Sequence, residues 1–276
     1  MAALLALAAS LSWGSSNFLA GLESRRRSVW TVTAVSQVVA ALGAGVALLI
    51  VRQPSPDLWH TIGPILGGVA SAVGLLAFYR ALAIGPMSVV APIIATDAVV
   101  PVAVGLLTGE RPGAPAYLGM VLAVGGVALV SWSKGRDSDH ATRFAILLAA
   151  VTAVLFGILL VGLSYGGRDS PYWAVFDARL ASACVIVAYL AASRRGFDLT
   201  VRTVPVLACV GLLLTGANLL FTVATTIGYL SVVSILGSLG PGVTTAFAQT
   251  MLGERLAVRQ WAGFATVFAG VVLLTV

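Results

Sequence analysis

Few side chains in this chain could do chemistry, and Asp97 is the first of them. It lies within a long apolar stretch, between Pro92 and Pro101. An ionised carboxylate there is expensive, about 2.5–3.5 kcal/mol on membrane-insertion scales, so we expect Asp97 to face a polar interior. Two interpretations stay open. The acid binds a proton, a cation or an amine, or it is protonated and satisfied by a neighbouring hydroxyl or carbonyl group. Both prolines should bend the helix and free carbonyl groups near Asp97.

Arg179 is the second charged side chain within an apolar stretch. Asp177 is only two positions away, and side chains two apart on a helix point in different directions, so the two should not pair. Arg179 then meets Asp97 or the carboxylate of a bound ligand across the molecule, forms another structural pair, or extends to the membrane interface. We favour the interface or a structural pair.

Uncharged polar residues deep in apolar stretches form a third set. Most such groups act as hydrogen-bonding glue between helices, worth about 0.6 kcal/mol each. Some should line a cavity, and the best candidates combine central depth with chemistry able to recognise a ligand. We predict that the cavity is lined by Trp13, Asn17, Tyr79, Asp97 and Asn218.

The spacing of the potentially catalytic and metal-binding residues does not indicate an enzyme or a metal site. The two histidines, His60 and His140, sit alone in separate polar connections, and no His/Cys pattern suggests a metal site. No phosphate-binding loop occurs, so ATP is not the direct energy source. We therefore predict no catalytic residues, no metal, no cofactor and no enzymatic activity, although an intramembrane enzyme acting on lipid stays as the weakest alternative.

Composition shows which elements must position these residues. The chain is 59% hydrophobic and 9% charged, against about 25% charged in soluble domains. Its apolar segments are about 20 residues long, enough for a helix to cross a bilayer. Paired glycines such as Gly67-Gly68 and Gly125-Gly126 predict close helix packing. The predicted spans are 2–22, 29–51, 60–83, 87–107, 115–133, 143–165, 171–193, 203–227, 230–252 and 259–276.

An internal duplication divides these spans into two sets of five. Phe78, Ala81 and Gly85 recur as Phe221, Ala224 and Gly228, all at the same interval, and Gly109-Glu110-Arg111 returns one residue later as Gly253-Glu254-Arg255. Each glycine should close a helix in the left-handed conformation, with Glu110 and Glu254 bonding loop groups. Because five is odd, the second copy enters the membrane from the opposite side. We predict an all-α membrane protein with two inverted five-helix repeats, 1–134 and 143–276.

The charged loops give a prediction of orientation. Twelve of the 16 Lys and Arg residues fall in connections that follow odd-numbered spans. The positive-inside rule would place those connections in the cytoplasm and both termini outside. The formal charge of +6 fits anionic lipid head groups better than nucleic acid.

Two motifs carry a resemblance to a known family. The segment from Ala91-Pro92 through Pro101 to Gly109-Glu110-Arg111, and its repeat from Ser238-Leu239-Gly240-Pro241 to Gly253-Glu254-Arg255, resemble the EamA domain of the drug/metabolite transporter superfamily. Trp13-Gly14 and Arg179 also match family habits, and the resemblance covers the full chain as two units. The chain departs from the family pattern at Asp97, where a proline is usual.

The resemblance implies a ten-helix basket around a central cavity, with both termini in the cytoplasm, contrary to the charge count. It also implies a secondary transporter that moves a small metabolite across the cell membrane, in bacteria the inner or cytoplasmic one, by alternating access. Expected partners are a small-molecule substrate, a coupling proton or cation and membrane lipids, with the chain as a monomer or homodimer. The alternative is a flippase for a lipid-linked sugar or another lipid.

Overall fold

The computed structural model describes residues 1–85, 87–131, 140–193 and 198–252, and beyond them 261–263, 265–266, 269–270 and 273. About 87% of the described residues are helical and none of them is in a strand, so the described chain is all-α. Within the described residues, seven helical segments are long and apolar enough to cross a membrane. The chain is therefore a multi-pass membrane protein.

The helices follow the apolar stretches of the sequence. The described α-helices are α1 (Ala2–Arg26), α2 (Val29–Val51), α3 (Leu58–Ile84), α4 (Met87–Ile94), α5 (Val99–Leu107), α6 (Ala114–Ser131), α7 (His140–Gly167), α8 (Pro171–Ser193), α9 (Val204–Thr226), α10 (Leu230–Gly237) and α11 (Gly240–Leu252). The predicted spans from 2–22 through 230–252 each coincide with helix. The tenth span, 259–276, lies largely outside the described residues. The second Gly-Glu-Arg motif lies wholly outside them.

Two of the predicted spans are broken in the middle. A 3₁₀ turn, Ala95–Ala98, separates α4 from α5, and a short turn at Ser238 and Leu239 separates α10 from α11. The first break lies between Pro92 and Pro101, as the sequence predicts, because a proline cannot donate the hydrogen bond that continues a helix.

The helix contacts are paired between the two halves of the chain. The helices α1, α2, α3, α4 and α5 correspond in order to α7, α8, α9, α10 and α11. The contact between α3 and α7 therefore corresponds to that between α9 and α1. In the same way, the contact between α2 and α9 corresponds to that between α8 and α3, and the contact between α5 and α10 to that between α11 and α4. Exchanging the halves leaves this pattern unchanged, which is the property of an approximate two-fold axis.

Glycines allow several of these helices to approach closely. A Cβ atom on Gly68 of α3 would lie 2.9 Å from the Ala178 Cα atom of α8, and one on Gly67 would lie 3.0 Å from the Leu159 Cα atom of α7. Gly125 differs, because no atom of the described residues lies within 4 Å of its Cβ position. The prediction of close packing is therefore wrong for Gly125, whose helix α6 turns this position outward.

Candidate functional site

The two helix breaks contact each other inside the molecule. Pro241 has no N–H group, so the carbonyl oxygen of Gly237 has no partner one turn further along. The Ser10 hydroxyl of α1 donates to this oxygen at 2.8 Å and also to the carbonyl oxygen of Leu236. A break that would leave polar backbone groups unpaired in the membrane is thus satisfied by a neighbouring helix.

Matching glycines pack against both breaks. Gly14 of α1 approaches the backbone of Gly240, and Gly157 of α7 approaches the carbonyl oxygen of Asp97, to which a Cβ there would be 2.8 Å away. Gly14 and Gly157 are separated by the interval that separates Phe78 from Phe221, and so are Asp97 and Gly240. At this crossing the counterpart of Asp97 is therefore Gly240, and the extra residue of the second repeat lies beyond the break.

A small cavity of about 50 Å³ lies beside the breaks. Its polar wall is formed by Trp13, Asn17, Ser71, Asp97, Arg179 and Ser238. Its apolar wall is formed by Leu75, Ile94, Phe156, Leu159, Leu160 and Leu214. Several of these residues are related by the repeat interval, namely the pairs Trp13 and Phe156, Asn17 and Leu160, and Ser71 and Leu214. The cavity therefore lies between the two repeats, at the place where a two-fold axis would pass.

Asp97 connects the two broken helices. It lies in the 3₁₀ turn, is partly buried, and accepts a hydrogen bond from the Ser238 hydroxyl in the other break. Both residues line the cavity. The acid is therefore placed where a change in its charge would act on the wall of the cavity and on the contact between the repeats together.

Arg179 lies inside the molecule. Its side chain is 2% exposed, and its Nη1 atom donates to Gln37 Oε1 at 3.1 Å. This placement corrects the alternative in which Arg179 extends to the membrane interface, because α8 turns it toward the cavity. Arg179 forms no ion pair with Asp97 or Asp177, although the structure describes all three residues. The structural partner is a neutral amide.

Tyr79 and Asn218, which the sequence predicts in the cavity wall, lie behind it. Asn218 is fully buried, and its Oδ1 atom accepts a hydrogen bond of 3.0 Å from the Trp13 indole N–H. The Tyr79 hydroxyl is buried near Arg179 and the Ser36 hydroxyl. These two residues hold or surround wall residues instead of facing the cavity. The correction arises because helix rotation, which depth along a span does not reveal, sets the direction of each side chain.

Sequence reasoning missed Ser238 and Gln37 as members of the site. Ser238 begins the second repeat motif and lies three residues before Pro241, so the sequence could have predicted its position beside a helix break. Gln37 is the ninth residue of α2, as Arg179 is the ninth of α8, and both helices have 23 residues. This equivalence needs the helix bounds of the structure, because the interval that separates Phe78 from Phe221 would pair Arg179 with Ser36.

Glu110 holds a contact between the repeats away from the cavity. Gly109 closes α5 with a φ of 97°, as predicted, and the Glu110 carboxylate then accepts hydrogen bonds from the backbone N–H groups of Leu230 at 2.6 Å and Ser231 at 3.0 Å. These residues begin α10, whose first N–H groups have no partner within the helix. Glu110 therefore caps a helix of the other half, where the sequence predicted a bond to loop groups.

Removing this cap should lower stability. We expect Glu110→Ala to lower the free energy of unfolding by about 1–3 kcal/mol, because two backbone N–H groups lose a charged acceptor. The melting temperature of the purified protein measures the effect. Thr108→Ala is the control, because among the described residues the Thr108 hydroxyl bonds only carbonyl groups of its own helix. Equal melting temperatures for Glu110→Ala and Thr108→Ala would show that the cap contributes nothing.

The described residues include no group of three His, Cys, Asp or Glu side chains that could hold a metal ion. The fold and the site define a polytopic membrane protein with a small cavity, lined by polar and apolar side chains, where two broken helices meet. Discontinuous helices that meet near the bilayer midplane between repeats are the usual binding-site architecture of secondary transporters.

The comparisons with known proteins agree with this class. The model of the EamA-like transporter family matches residues 1–132 and again residues 143–276. The chain therefore belongs to the EamA-like transporter family, and it carries the family unit twice. None of the curated proteins matches the chain in sequence. One solved crystal structure, of a protein 18% identical in sequence, superposes with a TM-score of 0.79 over 100% of this chain and 98% of the other, which supports the fold alone.

Proposed function

We propose that the protein is a secondary transporter that moves a small metabolite across the cytoplasmic membrane by alternating access. The cavity between the repeats is the substrate site, and the two halves rock against each other around it. At about 50 Å³ the cavity holds only a few water-sized molecules. This conformation thus leaves too little room for a metabolite, and a substrate enters when the halves move apart.

The observation that carries this proposal is the hydrogen bond between Ser238 and Asp97. It joins the two helix breaks, one from each repeat, within the wall of the cavity. Movement of one repeat against the other must alter this contact. A proton, cation or substrate amine bound at Asp97 competes with the Ser238 hydroxyl, so binding at the acid favours one arrangement of the halves over the other.

In this proposal the repeats have opposite orientations in the membrane, because each contains an odd number of spans. The two-fold exchange of helix contacts then corresponds to an axis in the membrane plane. We place the protein in the bacterial cytoplasmic membrane, with the basic connections on the cytoplasmic side.

The flippase alternative requires a cavity that opens sideways to lipid. A wide apolar groove of about 640 Å³ does lie on the outer face between α2 and α8. Among the described residues, however, this groove and the central cavity share no lining residue. We therefore retain the metabolite carrier.

Purified protein in liposomes tests the function. Ligands are first found by thermal shift against amino acids, amines, sugars and nucleosides, because a bound ligand stabilises the folded state. A radiolabelled ligand is then offered to liposomes preloaded with the unlabelled compound. We expect uptake by exchange above that of empty liposomes. Binding without any exchange would contradict the proposal.

A further inference from the structure

Arg179 is a buried cation that forms no ion pair with any described residue. Its side chain is 2% exposed, and its Nε atom has no hydrogen-bond partner among the described residues. The side chains that interact with it are neutral, with Gln37 contributed by α2 and Tyr79 by α3. The one acid in the same cavity wall, Asp97, forms no ion pair with it. A buried guanidinium without a counter-charge is costly, since desolvation is repaid only by an opposite charge or full hydrogen bonding.

The equivalent position in the first repeat shows that packing does not require this charge. Gln37 and Arg179 are each the ninth residue of a 23-residue helix, and they meet between the repeats. One half of the molecule therefore fills this place with a neutral amide. The positive charge in the other half needs a reason beyond holding the helices together.

We propose that Arg179 binds the anionic group of the substrate, and that the substrate is a small organic acid with one carboxylate and an apolar body. This inference rests on the proposed function, because it assigns the ligand of the same cavity. The guanidinium presents its N–H donors in a plane that matches a carboxylate. It lies in the cavity wall, where a ligand can reach it.

The remaining wall restricts the rest of the ligand. An apolar surface suited to an aliphatic or aromatic body is formed by Leu75, Ile94, Phe156, Leu159, Leu160 and Leu214. Asp97 lines the same cavity without pairing with Arg179. When ionised, Asp97 disfavours a second negative charge on the ligand, so we expect dicarboxylates and phosphate esters to bind less tightly than monocarboxylates. An amino group on the acid is attracted to it.

Binding to purified protein in detergent tests the inference without any transport step. The probes are hexanoate, phenylacetate and phenylalanine, each compared with its neutral carboxamide, and glutarate as a dianion. We expect at least one of the three carboxylates to raise the melting temperature and to bind at least about tenfold more tightly than its amide. Glutarate should bind no better than the amides.

Arg179→Gln is the decisive variant, because it places in α8 the amide that α2 already carries. We expect carboxylate affinity to fall at least about tenfold and the melting temperature without ligand to stay the same or rise, since an unpaired buried charge is removed. Arg27→Gln is the matched control. It removes a guanidinium from a surface ion pair with Asp198, whose closest N–O distance is 2.7 Å.

Several outcomes would overturn the inference: equal binding of acid and amide, no stabilisation by any of the three carboxylates, or unchanged carboxylate affinity in Arg179→Gln. A melting temperature that falls in Arg179→Gln while its carboxylate affinity is kept would show a purely structural arginine. Flux in liposomes separates the two proposals. Binding that depends on Arg179 but is followed by no exchange contradicts transport alone, whereas exchange that is unaffected in Arg179→Gln contradicts the anion site alone.

Discussion

Asp97→Asn should abolish uptake driven by a pH gradient while the protein folds and inserts as the wild type does. Asparagine keeps the shape of the side chain and can still accept a hydrogen bond from Ser238, but it cannot ionise. If Asp97 binds the coupling proton, exchange of labelled for unlabelled ligand continues in the variant and only accumulation is lost, down to the level without a gradient. Accumulation and exchange are measured in the same liposomes, with and without the gradient.

Asp177→Asn is the matched control for this experiment. Asp177 is also an acid within a span, but it does not line the cavity. We expect it to keep its response to the gradient. Accumulation by Asp97→Asn that still follows the gradient would remove Asp97 from the coupling mechanism and leave it as a hydrogen-bonding contact between helices.

Gly68→Ala should destabilise the protein although it adds a single methyl group. The new Cβ atom would lie 2.9 Å from the Cα and carbonyl carbon atoms of Ala178, and backbone cannot move aside as a flexible side chain can. Overpacking of this kind lowers the free energy of unfolding by about 1–3 kcal/mol. The displaced helix α8 also carries Arg179, so ligand affinity should fall with stability.

Gly125→Ala makes the same chemical change in open space. Alanine favours helix over glycine by up to about 1 kcal/mol, so this variant should be neutral or slightly stabilised. Melting temperatures of the two variants, measured side by side in one detergent, give the comparison. Equal values would show that the close approach of α3 and α8 does not limit stability.

The sequence predicted the elements well because membrane insertion depends on local composition. An apolar stretch long enough to cross the bilayer must satisfy its own backbone, and a helix does so within one segment. The helix bounds, the break between Pro92 and Pro101 and the left-handed Gly109 all follow from residues close together in the chain. The duplication could equally be predicted from the sequence, because matched residues recur at one interval. The family model matches twice, in agreement with it.

The direction in which each side chain points could not be predicted from the sequence in this way. Tyr79 and Asn218 have the depth expected of cavity residues, yet rotation of α3 and α9 places them behind the wall. Arg179 has the length to reach the interface, yet α8 turns it inward to Gln37. A helix of nearly continuous apolarity carries no strong stripe to show which side faces its neighbours.

The pattern of residue types along the chain was thus enough to define a duplicated, all-α membrane protein with a charged residue in the middle of a broken span. Packing alone decided that Asp97 meets Ser238 of the other repeat, that Arg179 meets Gln37, and that Glu110 caps α10. These partners lie far apart in sequence, on helices whose rotation and separation depend on small residues such as Gly14, Gly68 and Gly157. Spans form from local hydrophobicity, whereas contacts between them require the close approach of surfaces that no single segment contains.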